Sequence, residues 1–259
     1  MAATQLKKGV LAVAGEFKDA GMIPHFHEAY SIGIFYAGEY RYRSGTRTAI
    51  LRPGELRIVS PYELHETFSG TWNYLHFDID APLIKTLAEE IAQKELSFAP
   101  KLRPLHKDPA LTAAGKRLYA SLKGEALELE EAFDAFGSLL LQRSFDAQAC
   151  RNLLYDRTQL GRALDYLFAH WDQSDLSVDE IAEAAGLSTY YFVRSFGKAF
   201  GTTPHRFLLS LRAERAKKMI AEEKIPPARI AFACGFSDQS HMIRIFRKFF
   251  GYTPGSLRV

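Results

Sequence analysis

The hydrophobic period of the chain changes near residue 80. Before that point apolar and polar side chains alternate, as in Tyr40-Arg41-Tyr42-Arg43 and Trp72-Asn73-Tyr74-Leu75-His76-Phe77-Asp78-Ile79, the period of two expected of half-buried strands. Turn residues recur at Gly38, Gly45, Pro53-Gly54, Pro61 and Gly70, which predicts short antiparallel strands in a sandwich or barrel. From Ala81 the spacing becomes helical, through Leu83, Leu87 and Ile91, then Leu111, Leu118 and Leu122, then Leu127, Phe133, Phe136, Leu140 and Leu141. These helices are expected to cover the sheet, to pair with a second subunit, or both. Between Leu111 and Phe145, Leu118, Leu122, Leu127, Phe136 and Leu140 are expected to face a partner in a homodimer.

Beyond Arg151 the pattern is helical only. One helix carries Leu160, Leu164, Leu167, Phe168 and Trp171. The next opens on Ser177-Val178-Asp179-Glu180, a capping box in which hydroxyl and carboxylate satisfy two orphan amides reciprocally, and ends at Gly186. Thr203-Pro204 and Thr253-Pro254 each set a capping hydroxyl before a proline in the first turn, where a missing N–H costs nothing. A boundary near residues 150–156 therefore divides an α+β chain. An antiparallel β-barrel with flanking helices is expected over residues 1–150, and an all-α domain over residues 156–259. The length of 259 residues accommodates both.

The second half repeats itself. Ile181-Ala182, Ala185-Gly186 and Leu187-Ser188 return 49 residues later as Ile230-Ala231, Cys234-Gly235 and Phe236-Ser237. At an offset of 50, Arg194, Phe196, Lys198, Phe200, Gly201 and Thr203-Pro204 match Arg244, Phe246, Lys248, Phe250, Gly251 and Thr253-Pro254. Each unit is a short helix, a glycine turn and a longer helix, the plan of a helix-turn-helix whose second helix enters the major groove. The phenylalanines at helical spacing are assigned to the core. Tyr190, Val193 and Arg194, and Ser240, His241 and Arg244, are expected to face base edges, and Gln239 is expected to contact DNA beside them. Lys198, Arg247 and Lys248 lie farther along and are expected to meet phosphate.

Charge supports a polyanion partner once it is split. The overall balance of 33 basic against 30 acidic residues is bland, but residues 1–155 carry 18 and 19, and residues 156–259 carry 15 and 11. No acid occurs between Glu183 and Glu214, where Arg194, Lys198, Arg206 and Arg212 lie, or after Asp238, where Arg244, Arg247, Lys248 and Arg258 lie. No apolar run approaches the roughly 18 residues of a membrane span, and the run from Val10 to Gly15 is too short for a signal-peptide core. Two cysteines, Cys150 and Cys234, form no disulfide framework. A cytoplasmic protein without membrane contact is expected.

The tandem units, the helix from Pro204 to about Ala221 between them, Gly235-Phe236-Ser237, and the closing Phe246-Arg247-Lys248-Phe249-Phe250-Gly251-Tyr252-Thr253-Pro254 resemble the DNA-binding domain of the AraC/XylS transcription regulators. The resemblance covers residues 156–259. It implies that the two units enter successive major grooves on one face of double-stranded DNA, and it places base reading on Tyr190, Val193 and Arg194 and on Ser240, His241 and Arg244. Val193 departs from the pattern, being apolar where many members are polar. The resemblance also implies a small-molecule effector, contact with RNA polymerase and activation as the default, with repression open.

Pro24-His25-Phe26-His27, Gly38, Pro53-Gly54 and Pro61-Tyr62-Glu63-Leu64-His65 look like a cupin. Alternation places His25 and His27 on one strand face, and with His65 they offer three nitrogens suited to Zn, Fe, Mn or Ni. Metal-binding cupins usually add a glutamate shortly after the pair. Here Ser31 and Ile32 occupy that neighbourhood and Glu28 points to the other side. The ligand set is incomplete, so no metal or other cofactor is expected and the histidines are read as pocket residues. With Tyr30, Tyr40, Tyr42, Trp72, Tyr74 and His76 they are the expected effector-binding residues. No phosphate-binding glycine loop, nucleophile elbow or HExxH motif occurs, and no enzyme is expected. The alternatives are a dioxygenase-like cupin metalloenzyme with a DNA-binding appendage, and a regulator whose barrel senses nothing.

Overall fold

The computed structural model describes residues 2–45, 47–96, 99–104, 107–121, 126–145, 159–222 and 225–257. The boundary expected near residues 150–156, together with Cys150, Leu122 and Arg258, lies outside them. Seven strands come first: β1 (Ala2–Lys7), β2 (Val10–His25), β3 (Tyr30–Gly38), β4 (Tyr40–Ser44), β5 (Arg47–Leu51), β6 (Leu56–Val59) and β7 (His65–Ile79). Helices follow as α1 (Ala81–Ala92), α2 (Pro109–Ala120), α3 (Ala126–Ser144), α4 (Gln159–His170), α5 (Val178–Ala184), α6 (Thr189–Phe200), α7 (Pro204–Glu222), α8 (Pro227–Ala233) and α9 (Gln239–Phe250). No described helix is long and apolar enough to cross a membrane.

The expected antiparallel sheet is present, with β7 at its centre. The order is β1-β2-β7-β3-β6, and β4 pairs both β5 and the start of β7. β7 faces β2 along nearly its whole length, from the pair Val10 and Ile79 to the pair His25 and His65. Three register shifts after Phe17 re-aim the end of β2, as bulges do. Among the described residues the pairing does not close into a ring, so the sheet is rolled and open rather than a closed barrel.

Alternation gives the sheet two apolar faces, and helices cover both. On one, Ile32, Ile34, Leu75, Phe77 and Ile79 pack against Ile84, Leu111, Leu118, Phe136 and Leu140 from α1, α2 and α3. Leu118, Phe136 and Leu140 are thus fully buried in the chain's own core and are not presented to a second subunit. An apolar stripe looks the same in sequence whichever surface it covers. On the other face Phe35, Tyr40, Tyr42, Trp72 and Tyr74 share one core with Phe246, Phe249, Phe250 and Tyr252. The C-terminal helices close that side.

Both longer helices of the repeat end against the N-terminal half, α9 on β2 and α6 on the turn before β7. α6 and α9 stop at Gly201 and Gly251, with φ of 69° and 75°, the left-handed cap that glycine adopts without strain. A Cβ on Gly201 would lie 3.1 Å from Leu64, and one on Gly251 would lie 2.9 Å from the Phe17 ring. Gly251→Ala is therefore expected to destabilise the chain by more than about 1 kcal/mol, since both the backbone and the seat against Phe17 must yield. Thermal denaturation checks it, and an unchanged midpoint would contradict this seating.

Candidate nucleic-acid interface and sensor interior

The repeat is exact in structure. α5 and α8 are offset by 49 residues, α6 and α9 by 50. The Ser177–Glu180 capping box forms in full, Ser188 caps α6 through the Tyr191 N–H, and Asp238 caps α9 through the His241 N–H at 2.7 Å. Phe192 and Phe196 of α6, and Met242, Phe246, Phe249 and Phe250 of α9, are buried as the apolar spacing predicts. Tyr190, Arg194 and Lys198 are exposed on the opposite side of α6, and Gln239, Ser240, Arg244, Arg247 and Lys248 on that of α9. Among the described residues none of these cations is held in a salt bridge. Their charge is available to a partner.

Three residues behave differently from the sequence pattern. Val193 is half-buried against the core of the first unit, which turns it partly away from any groove. His241 is half-buried too, its Nδ1 3.1 Å from the Ser237 hydroxyl, and burial followed by the Arg244 charge lowers its pKa. Arg212 is buried and donates to the backbone carbonyls of Trp171 and Gln173, so it clamps α7 to the end of α4 and adds nothing to the basic surface. Tyr191, 56% exposed beside Tyr190, is a surface aromatic that helical spacing alone did not separate from the core.

The sensor interior is assembled from both halves of the chain. His25 and His65 are register partners on β2 and β7, and the His27 carbonyl accepts the Tyr62 N–H at 2.8 Å. The three imidazoles gather with ring centroids 4.3 to 5.0 Å apart. Phe26 between them points the other way, into the first helix-turn-helix core beside Phe207. β2 ends at His25, so His27 lies just past the strand rather than on it, yet the two imidazoles still share one side with Phe26 on the other. Burial first, and then neighbouring positive charge or imidazole, pushes all three pKa values well below normal. The rings are neutral at physiological pH.

α7 lies along this segment and supplies charge to it. Glu214 accepts from His27 Nδ1 at 2.9 Å and from Lys217 at 2.8 Å, and Lys217 reaches Asp78 of β7 at 3.0 Å. Asp78 also holds His76 at 2.9 Å. Burial alone would raise the Asp78 carboxyl, but Lys217 and then His76 hold it well below the usual range. Burial pushes Glu214 up against the pull of Lys217. For Lys217 the two carboxylates overcome desolvation and keep the amine charged. A buried pair of this kind, with its lone pairs filled, ties the halves together at a fixed geometry.

Of the expected effector residues, His25, His27, Tyr40, Tyr74 and His76 line one interior cavity of about 20 Å³, room for about one water. His65 lies behind it, its ring tilted against those of His25 and His27. Tyr30 belongs to the opposite face of the sheet, its hydroxyl donating to the Pro100 carbonyl. Trp72 stacks on Phe17, with centroids 5.5 Å apart, and Tyr42 on Tyr40. Neither lines the cavity. Arg57, absent from the expected set, does line it, and donates to Tyr40 Oη at 2.7 Å and Ser31 Oγ at 3.0 Å. Met22, Asp78, Lys217, Phe250 and Tyr252 complete the wall. A second space, an open groove of about 350 Å³, runs between the sheet edge and α7 past Glu28, Tyr62, Asp80, Arg215 and Lys218.

A sheet whose interior is closed by a tandem helix-turn-helix domain defines a transcription regulator that carries sensor and DNA reader in one chain. Comparison with known proteins agrees. Residues 7–141 match the family model for the AraC-like ligand binding domain, and residues 181–259 match a helix-turn-helix domain. The chain belongs to the AraC family of transcription regulators. It is 28% identical over 225 residues to the HTH-type transcriptional regulator YbfI of Bacillus subtilis, covering 84% of this chain and 80% of that one. It is 32% identical over 120 residues to the HTH-type transcriptional activator RhaS of Escherichia coli, covering 46% of this chain and 42% of RhaS. The crystal structure of ToxT from Vibrio cholerae O395 superposes with a TM-score of 0.61 over 96% of both chains at 10% identity, a likeness of fold alone.

Proposed function

We propose that the chain is an effector-responsive, sequence-specific regulator in which a small molecule at the joint between sheet and α7 alters the placing of the two reading helices on DNA. One observation carries this reading: the sensor interior is walled by Lys217 of α7 and by Phe250 and Tyr252 at the end of α9. Anything that enlarges the interior must move them. The groove beside α7 has the volume of a small-molecule site, and Asp78 and Lys217 line both spaces. A ligand acts only through a difference in affinity between the two arrangements. Activation through RNA polymerase is the working default, in keeping with the name of the relative RhaS, and a homodimer would use surfaces other than the buried Leu118 stripe.

Thermal-shift screening of sugars, amino acids and aromatic acids tests the effector, since a ligand at 100 times its Kd adds about 2.7 kcal/mol. A lack of response to every class would favour a sheet that is only a scaffold. For DNA, Arg244→Ala is expected to relax choice at one base position at a cost of about 1–3 kcal/mol. Lys248→Ala is expected to weaken all sequences alike and to lower the salt slope by about 1. Binding to variant DNA fragments at several salt concentrations separates the two, and equal losses on every sequence would refute the division of roles.

A further inference from the structure

The three buried histidines are oriented as well as gathered. Each commits its Nδ1 to a fixed partner: His25 to the Ile23 carbonyl at 2.8 Å, His65 to the Glu63 carbonyl at 3.0 Å, and His27 to the Glu214 carboxylate at 2.9 Å. A neutral imidazole that donates from Nδ1 keeps its lone pair on Nε2. The His65 Nε2 is buried without a partner, and one ligand nitrogen from each ring lies within 4.8 Å of the other two. A carbonyl or carboxylate behind each ring is how proteins fix the tautomer and aim of metal-binding histidines.

We infer that His25, His27 and His65 bind one divalent d-block cation, and that Glu214 couples its occupancy to the DNA-binding half. This deepens the effector-responsive reading, and its coupling arm rests on that reading. Three neutral nitrogens with no carboxylate among them suit zinc, cobalt or nickel rather than magnesium or calcium. Nitrogens 2.0–2.1 Å from a tetrahedral zinc stand about 3.4 Å apart, so the rings need to close by an ångström or so. An organic effector would instead have to displace Phe250 and Tyr252, because the cavity that His25 and His27 line is only about 20 Å³. The nearby fixed charges, Arg57 and Lys217 against Asp78 and Glu214, cancel.

The absence of a glutamate after the His pair weakened a metal reading at the level of sequence. Glu214 is 187 residues away from His27. It holds the far nitrogen instead of ligating, and it does so from α7, the helix joining the two reading units. The His25 and His27 rings each lie 6.1 Å from the Phe250 ring. Drawing the imidazoles together therefore shifts the surface on which the end of α9 rests.

The test uses the full chain, stripped with a chelator and titrated with zinc against a chromogenic competitor, and with cobalt to read coordination by visible absorption. One equivalent is expected, lost in His65→Ala and in His25→Gln, each checked for folding by circular dichroism. Glu214→Gln keeps all three ligands and is expected to lose 10- to 100-fold in zinc affinity. Zinc is expected to change affinity for a DNA fragment selected by the chain from a random pool by at least about 5-fold, and DNA must change zinc affinity by the same factor. No zinc uptake by the folded chain, or uptake indifferent to both histidine substitutions, overturns the site. Uptake with unchanged DNA affinity overturns the coupling. Failure to select any DNA, with or without zinc, would sink the regulator reading instead, and the titration would still judge the site.

Discussion

Lys217→Met is expected to destabilise the chain by about 3–5 kcal/mol, the cost of breaking a buried ion pair from one side. The amine sits between Glu214 at 2.8 Å and Asp78 at 3.0 Å, and all three side chains are less than 10% exposed. Removing it leaves two buried carboxylates whose remaining basic contacts, among the described residues, are the imidazoles of His27 and His76. The triple substitution with Glu214→Gln and Asp78→Asn is expected to recover most of the loss, because the three residues act as one unit. Urea denaturation of the single and triple variants checks both statements. Equal losses in the two would show that Lys217 contributes packing and not charge. Acid should act through the same group. Asp78 has a folded pKa below its unfolded one, so its contribution is complete above about pH 4, the value of an unperturbed Asp. It is lost as pH falls through the folded value. Asp78→Asn is expected to flatten that acid limb.

Phe250→Ala is expected to cost about 3–5 kcal/mol, as large-to-small changes in a packed core do. The ring is 3% exposed. It packs on Phe246 with centroids 4.6 Å apart and lies under the Lys217 amine, 4.6 Å from the ring centre. Its loss joins new volume to the sensor cavity and removes the stop against which α9 rests. Thermal and urea midpoints should both fall, with the fold otherwise retained by circular dichroism. A loss below about 1 kcal/mol would mean that the end of α9 is not seated on the sheet.

The two reading units, and the strands through Tyr40 and through Trp72, were legible in the amino-acid sequence because their signals are local. Ser177 and Glu180 stand three residues apart, the repeat has a constant offset, and Trp72 to Ile79 alternates with the period of a strand. What the concave face of the sheet meets was not legible, because it depends on contacts of high sequence separation. Lys217 and Asp78 are 139 residues apart. Tyr30 was grouped with His76 as a pocket residue, yet Tyr30 pairs with Ile79 and Gly33 with His76, which puts Tyr30 on the other face. That parity becomes visible only when the register is known. Arg57 carried no motif, and its burial follows from the hydroxyls of Ser31 on the adjacent β3 and of Tyr40 on the more distant β4.

The seats of Gly201 on Leu64 and of Gly251 on Phe17 have a geometric consequence for DNA. Successive major grooves on one face recur about every 34 Å, and a protein that fills both at once must match that pitch in distance and in angular phase. Because α9 terminates on β2 and α6 on the turn that leads into β7, the N-terminal half acts as a jig that sets their phase. A small change in the roll of the strands, too slight to expose any core, would throw one helix out of step with the duplex while the other stayed engaged. Binding to two-groove sites would then fall relative to single-groove ones, with the base-facing side chains themselves unchanged.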